Sequence, residues 1–417
     1  MTALPLDLFS PLDEAVEDRL DGLRVALFTG AYNHIADGVA LTLNRLVSFL
    51  EEHGAEVLVF APTSETPAVQ HSGTLDPVRS ISLPGRPDYR ISLGLGRSQR
   101  RRLEAFAPDL FHIATPDLLG IQAMVLAHRM GVPVVSTYHT HFTSYLEFYR
   151  LGWLKGLTWR LLRTFYRSAD HVYVPTPTMV RLLAEHGIDE GIHLWPRGVD
   201  TARFRPDRRD LAWRRSLGFG DDDVVVTFVS RLVWEKGLDV FADTIDRLTR
   251  LRVPHRTLIV GEGPARAALQ ELLPEAVFVG HLGGDDLARA YASSDVFVFP
   301  SETETFGNVT LEAMASGLPT VCADAPGSDA LVRPGRTGFL ETPRDSDSMA
   351  RRVATLIVDD RLRTRMGLEA RIEAERYSWS SVLGRIAGYY TRILEPRPAE
   401  AVDAVPVIST QAQAIAA

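Results

Sequence analysis

The sequence predicts an α/β protein of two parallel-sheet domains, each doubly wound, facing each other across a cleft. Three observations predict it. Short apolar, β-branched runs alternate with stretches of helical period. The alternation restarts at Val224-Val-Val-Thr-Phe-Val-Ser230 much as it began at Leu23-Arg-Val-Ala-Leu-Phe-Thr-Gly30. Polar, glycine-containing turns follow the strands, at the carboxyl edge where open α/β sheets bind ligands.

Size and composition agree with this. The 417 residues suffice for two or three domains at ~150 residues each. A composition 45% apolar and 24% charged is that of a soluble globular chain, and a net charge of −8 argues against nucleic acid as a partner. The single cysteine, Cys322, lies in the apolar run Pro319–Ala323, reads as a buried strand residue, and forms neither an intrachain disulfide nor a cysteine zinc site. Asp7, Asp13, Glu14, Glu17 and Asp18 precede any long apolar run, so no secretory signal is read. No stretch reaches the ~20 apolar residues that span a bilayer. A cytoplasmic protein is expected, soluble or peripheral on the inner face of the cell membrane.

In chain order, residues 1–21 read as a poorly ordered lead-in. Leu23–Gly30 is the first strand, and Gly38 opens a helix with apolar positions Val39, Leu43, Leu46, Val47 and Leu50. Glu56–Ala61 is the next strand. No G-x-G-x-x-G occupies the first turn, which sets aside a dinucleotide site. Gly38 still permits close backbone approach by a ligand, or is a simple loop glycine. Leu110–Ala114 and Val132–Tyr138 are further strands, which places His139 and His141 at the cleft edge. There they can bond a sugar hydroxyl or phosphate oxygen; a metal is discounted because no third ligand stands close in sequence. Residues 151–167 form an amphipathic helix with Leu154, Leu157, Leu161, Leu162 and Phe165 on one stripe and Trp153 and Trp159 near its edges. With Lys155, Arg160, Arg163 and Arg167 outside the stripe, it fits either an anionic membrane surface or a helix packed on the sheet. Arg97, Arg100, Arg101 and Arg102 form a second basic cluster.

Arg203–Asp223 reads as charged and irregular, and the Asp221-Asp222-Asp223 run as a hydrophilic lead-in to a strand. The second half then repeats the pattern. Arg231 and Lys236 follow the strand Val224–Ser230 and precede a helix from Leu238 to Leu251. Two fixed cations there suit a pyrophosphate. Strands at Thr257–Val260 and Ala276–Gly280 end in glycine turns that include Gly263 and Gly280. The richest stretch is 301–319. The strand Val296–Phe299 ends at Pro300, a loop holds Gly307, and a helix begins near Asn308 and Val309. This strand–glycine–helix junction offers free amides and a positive dipole end to a phosphate. Glu304 and Glu312 flank it as acceptors for sugar or ribose hydroxyls; the plainer reading is one capping and one surface glutamate. Asp345-Ser-Asp347 precedes a helix and reads as a cap. Tyr377-Ser-Trp379 leads into a last apolar helix through Val382, Ile386, Tyr389, Tyr390 and Ile393.

These motifs in this order resemble the retaining GT-B-fold glycosyltransferases of family 4, over roughly Leu23 to Leu394. They are Glu304 and Glu312 in E-x7-E enclosing Phe306-Gly307, then Ser230-Arg231 with Lys236-Gly237, Gly261-Glu-Gly-Pro264 and Gly198-Val-Asp200. The resemblance implies α/β architecture of the GT-B kind, two facing Rossmann-like domains with a cleft between them. With the domain boundary placed in the charged stretch that begins at Arg203, the acceptor side is 22–205 and the nucleotide-sugar side 206–376; 377–395 resembles the segment that crosses back, and the Ala- and Val-rich 396–417 reads as a disordered tail. The resemblance implies His139, Arg231, Lys236 and Glu304 as catalytic residues. Gly38, Gly198, Gly263, Gly280, Phe306, Gly307, Asn308, Val309 and Glu312 would bind the donor. The usual Gly-Gly of the first loop is Asp37-Gly38 here. The implied reaction is hexose transfer from a nucleoside-diphosphate sugar, with no cofactor and no metal, to an acceptor hydroxyl. Asp37-Gly38-Val39, Tyr138-His139-Thr140-His141 and Arg197-Gly198-Val199-Asp200 look most like the mannosyl and lipid-directed branches. The expectation is therefore GDP-mannose and a lipid-linked acceptor, with peripheral membrane contact through 151–167 and Arg97–Arg102. A UDP-sugar-dependent glucosyl-, glucuronosyl- or sulfoquinovosyltransferase is the alternative; a nucleotide-sugar epimerase and a non-catalytic sensor are the rivals from other classes.

Overall fold

The computed structural model describes residues 19–35, 38–83, 86–138, 155–304 and 306–395. The expected lead-in up to residue 18, His139 and His141, the start of the amphipathic helix and the tail from 396 lie outside these residues. Leu20 is fully buried beside Leu23, and Arg19 pairs with Glu395.

The first sheet has seven parallel strands in the order β3-β2-β1-β6-β7-β8-β9. They are β1 (Arg24–Phe28), β2 (Glu56–Ala61), β3 (Thr74–Pro77), β6 (Leu110–Ile113), β7 (Val134–Thr137), β8 (His171–Val174) and β9 (Ile192–Leu194). An antiparallel hairpin, β4 (Ser80–Leu83) and β5 (Arg86–Ser92), stands apart from it. The second sheet has six parallel strands: β10 (Val225–Val229), β11 (Arg256–Val260), β12 (Val277–Gly280), β13 (Val296–Phe299), β14 (Thr320–Ala323) and β15 (Gly338–Glu341). Their order is β12-β11-β10-β13-β14-β15. Continuous apolar runs such as Val296-Phe-Val-Phe299 become central strands because helices cover both faces, leaving no polar face to alternate with.

Both sheets reverse direction beside their first strand, between β1 and β6 and between β10 and β13. At such switch points neighbouring loops diverge and leave a crevice at the strands' carboxyl ends. The two crevices face each other. Thr178, beyond β8, donates to Asp329, beyond β14, at 2.8 Å, with Arg181 3.9 Å from the same carboxylate.

The helix Trp379–Leu394 returns to the first domain. Val382, Leu383, Ile386, Ala387 and Tyr390 enter the core that holds Leu20, Leu23, Leu43 and Leu46. Tyr390 Oη lies 2.5 Å from His112 Nδ1, and burial lowers the His112 pKa to about 3, keeping the ring neutral. The crossing is pinned where Val199 N donates to Tyr377 O at 2.8 Å.

Two readings are corrected. Arg203–Asp223 is not irregular throughout: Leu211–Ser216 is a helix, capped by Asp210 accepting from Trp213 N. It lacks an apolar period because its anchor is a fully buried arginine, Arg214. In the amphipathic segment, described as a helix over Lys155–Tyr166, the apolar residues do not share one face. Trp159, Leu162, Phe165 and Tyr166 are buried, with Trp159 stacked on His186 at 3.7 Å, while Leu157 and Leu161 point to solvent. An aromatic on the stripe's edge packs into the core, so the inward face is turned away from Leu157 and Leu161.

Candidate active site

The second domain's switch point assembles the centre of the site. After β10 the chain turns through Arg231–Lys236, and Gly237, at φ +73°, starts the helix Leu238–Arg250. A Cβ on Gly237 would lie 2.6 Å from the carbonyl oxygen of Pro300, so the loops after β10 and β13 are in contact. That approach brings Lys236 Nζ to 2.6 Å from Glu304 Oε1, with side chains only 13% and 18% exposed. Ser301 Oγ is 3.4 Å from the same carboxylate oxygen. Behind Glu304 stands Gly327 (φ +93°), where a Cβ would come within 2.8 Å of the Glu304 Cβ.

Gly307, at φ +89°, opens the helix Asn308–Ala315 and no side chain caps it. The helix after Gly237 is likewise uncapped by a side chain. Two helix N-termini thus stand at the Lys236–Glu304 pair, each offering first-turn amides to an anion. The Phe306 ring turns inward and packs against Tyr377 with centroids 6.1 Å apart, so this residue can offer the cleft only its backbone.

One turn along the helix, the Glu312 side chain is half-buried, and its Oε2 accepts from the hydroxyl of Tyr291 at 3.2 Å. Burial pushes its carboxyl up to about 7, against the downward pull of that hydrogen bond. Glu312 and Asn308 line a cavity of about 280 Å³ whose opposite wall is Gly38, Thr42, Arg45 and Arg197 of the first domain. Arg197 donates to Gly38 O at 2.7 Å and to Thr42 Oγ1, fixing the start of the Gly38 helix. Because the native carboxyl holds its proton to higher pH than the unfolded one, this group favours the fold at low pH. Its contribution is lost as pH rises from about 4.5 to about 7. As an acceptor for ribose hydroxyls Glu312 would act best as the carboxylate, so affinity for a nucleoside diphosphate is expected to rise with pH through about 7. Tyr291→Phe removes a hydrogen bond to the carboxylate and should move that inflexion upward; calorimetric titrations across the neutral range check it.

The other expected site residues are scattered in role. Arg231 stands at the strand end but is largely exposed, 3.6 Å from Glu235. Gly261 and Gly263 let their turn lie on the loop after β10: Cβ atoms there would meet Ser230 O at 1.8 Å and Leu232 O at 2.3 Å. Gly280, at φ +77°, accepts from Gly261 N and completes the same interlock. Gly198 lines the cavity, and its Cβ space is filled by the Trp379 ring, 2.5 Å away. Asp345 caps its helix by accepting from Ser348 N, as read. Asp221 pairs with Arg215, and Asp223 with Arg256 at 3.0 Å. Cys322 is buried in β14. Sequence reading missed Tyr291, which no motif marks, and Arg197, which sat in a turn noticed for its glycine.

Two facing Rossmann-like domains, with a cation–carboxylate pair and paired helix N-termini at one switch point, have the architecture of the GT-B class. Residues 36–203 match the family described as Glycosyltransferase Family 4, and residues 223–359 match Glycosyl transferases group 1. A GDP-mannose-dependent alpha-mannosyltransferase of Mycolicibacterium smegmatis is 35% identical over 90% of this chain and 99% of its own. Sulfoquinovosyl transferase SQD2 of Arabidopsis thaliana is 33% identical over 87% of this chain and 72% of its own. Among solved structures, sucrose-phosphate synthase from Thermosynechococcus elongatus superposes with a TM-score of 0.69 at 19% identity, covering 89% of this chain and 99% of that one. The chain belongs to glycosyltransferase family 4, and it is a glycosyltransferase.

Proposed function

We propose that the protein is a retaining, metal-independent mannosyltransferase that moves mannose from GDP-mannose to a hydroxyl of a membrane lipid or glycolipid. The observation that carries this is the Lys236–Glu304 pair set between two uncapped helix N-termini. The bond from the anomeric carbon to the diphosphate breaks, and a bond to the acceptor oxygen forms on the same face. The acceptor proton passes to the departing phosphate oxygen. Lys236, Arg231 and the amides of Asn308 and Val309 would stabilise negative charge as it grows on that phosphate. Glu304 would hold donor-sugar hydroxyls, Glu312 the ribose, and His139 the donor sugar near the acceptor. Gly38, Gly198, Gly263, Gly280, Phe306 and Gly307 would act through their backbone and small size. With fixed cations and amides neutralising the diphosphate, no metal is required.

The choice of mannose and GDP rests on relatives named GDP-mannose-dependent alpha-mannosyltransferases, 31–35% identical to this chain. The lipid acceptor is supported by an alpha-monoglucosyldiacylglycerol synthase and a phosphatidylinositol monomannoside mannosyltransferase among the relatives. SQD2, named a sulfoquinovosyl transferase, favours a second reading, sulfoquinovosyl transfer, for which the expected donor is a UDP-sugar. Thermal melting with GDP, UDP, ADP, GDP-mannose and UDP-glucose separates them, since a ligand at ~100-fold its Kd adds ~2.7 kcal/mol to stability. The expected result is a rise with GDP and GDP-mannose alone. A rise confined to uridine ligands would overturn the mannosyl reading, and no rise with any would overturn the donor site.

A further inference from the structure

The first domain carries an apolar strip beside the cleft that its own core does not use. In the hairpin, Ile81 stands directly opposite Ile91, and Leu93, two residues on, continues the same face. The chain then runs against the helix Leu118–Met130: Leu95 N donates to Gln122 Oε1 at 2.8 Å, and a Cβ on Gly94 would lie 2.6 Å from that oxygen. Gln122 sits within the helical stripe Leu118, Ile121 and Val125. The hairpin face and the stripe therefore join at Gln122. All six large aliphatic residues are 45–52% exposed, while the core takes the other side of the helix, Leu119, Ala123, Met124 and Ala127. Leu118 follows Asp117, the helix cap just beyond β6, so one end of the strip opens at the first sheet's switch point.

Cations border the strip. The helix Arg97–Phe106 begins two residues after Leu95 and buries only Leu103. Arg102 is engaged by Asp76 at 3.6 Å, whereas Arg97, Arg100 and Arg101 are exposed and pair with no carboxylate among the described residues. Protein interfaces favour aromatic anchors, and the strip has none. Half-exposed aliphatics bordered by arginines instead match the interfacial layer of an anionic bilayer, where apolar chains insert shallowly and cations meet lipid phosphates.

We propose that Ile81, Ile91, Leu93, Leu118, Ile121 and Val125, with Arg97, Arg100 and Arg101 beside them, dock the first domain on an anionic lipid bilayer. The strip would lead a lipid acceptor to the cleft at Leu118. This last step rests on the lipid-acceptor reading above; the docking itself does not.

The test is flotation of the full chain with vesicles of phosphatidylglycerol and phosphatidylcholine in equal parts, without donor or acceptor. Wild type is expected to float with them, to release at high salt, and to leave pure phosphatidylcholine largely unbound. Ile91→Glu with Ile121→Glu should abolish flotation, and each of Arg100→Gln and Arg101→Gln should weaken it about fivefold. Melting temperature and GDP binding should stay at wild-type values in all of these, showing that they fold. Flotation unchanged by these substitutions would overturn the proposal. So would an absence of flotation, or self-association through the strip in its place. Normal flotation with no lipid glycosylated would leave docking in place and count against the lipid acceptor alone.

Discussion

Replacing Lys236 by alanine is expected to lower kcat/KM about 10²–10³-fold, by analogy with the loss of one donor to a developing oxyanion. Among the described residues Lys236 has a single carboxylate partner, Glu304, and little contact with water, so its charge is concentrated at one spot between two helix N-termini. In a site with little water the departing diphosphate would feel that charge far more strongly than in bulk solvent. Lys236 lies in the turn ahead of the Leu238 helix, so the substitution opens no core cavity, but it leaves the largely buried Glu304 carboxylate unpaired and should lower the melting temperature as well. Glu304→Gln keeps the shape, removes the carboxylate that aligns Lys236, and is expected to lower the rate to a similar degree. Steady-state kinetics with GDP-mannose measure both. Activity near wild type in Lys236→Ala would remove this pair from the chemistry. A loss of GDP affinity with no rate to lose would describe a sensor rather than an enzyme.

The second large effect is on stability. Arg214→Met is expected to destabilise the protein by about 3–5 kcal/mol, the usual cost of breaking a buried ion pair by removing one partner. Arg214 is fully buried and donates to Ser293 O and Asp223 O at 2.6 Å each, to Gly220 O at 3.1 Å and to Asp295 Oδ2 at 3.1 Å. Methionine fills much of the volume but leaves those oxygens short of a donor. Asp295 precedes β13 and also receives Val225 N at 2.8 Å, so the damage falls at the amino edge of the second sheet, far from Glu304. Urea unfolding measures the loss, and GDP affinity of the remaining folded protein should be unaltered. A loss below about 1 kcal/mol would mean that water replaces the guanidinium at little cost.

Much of the architecture was legible because buried parallel strands write themselves plainly. Val224–Ser230, Val296–Phe299 and Glu56–Ala61 are apolar, β-branched and bounded by turn residues, and each is a central strand. The turn chemistry was equally plain: Gly237 and Gly307 adopt positive φ where the sequence placed a strand–turn–helix junction. What escaped notice had no such signature. β9 and β15 are short edge strands, and the hairpin β4–β5 carries serine, arginine and isoleucine in nearly equal measure. The helix around Trp159 was read with its stripe rotated, because period alone does not say which of two adjoining apolar arcs faces the core.

By itself the sequence determined which residues stand at strand ends and which turns hold glycine, since local pattern and backbone sterics settle both. That was enough for two doubly wound domains and for the family. Tertiary structure alone decided which of those groups meet. Lys236 and Glu304 are 68 residues apart and pair because the second sheet reverses between β10 and β13. Arg231, five residues before Lys236, is left facing solvent beside Glu235. The Glu312 carboxyl is raised by loss of water around it, against the hydrogen bond from Tyr291, a property of packing that no run of letters carries. The exposed strip from Ile81 to Val125 joins two elements through the hydrogen bond from Leu95 to Gln122. Sequence orders the parts along one dimension; burial, distance and charge are fixed only when the sheets bring separate turns to one edge.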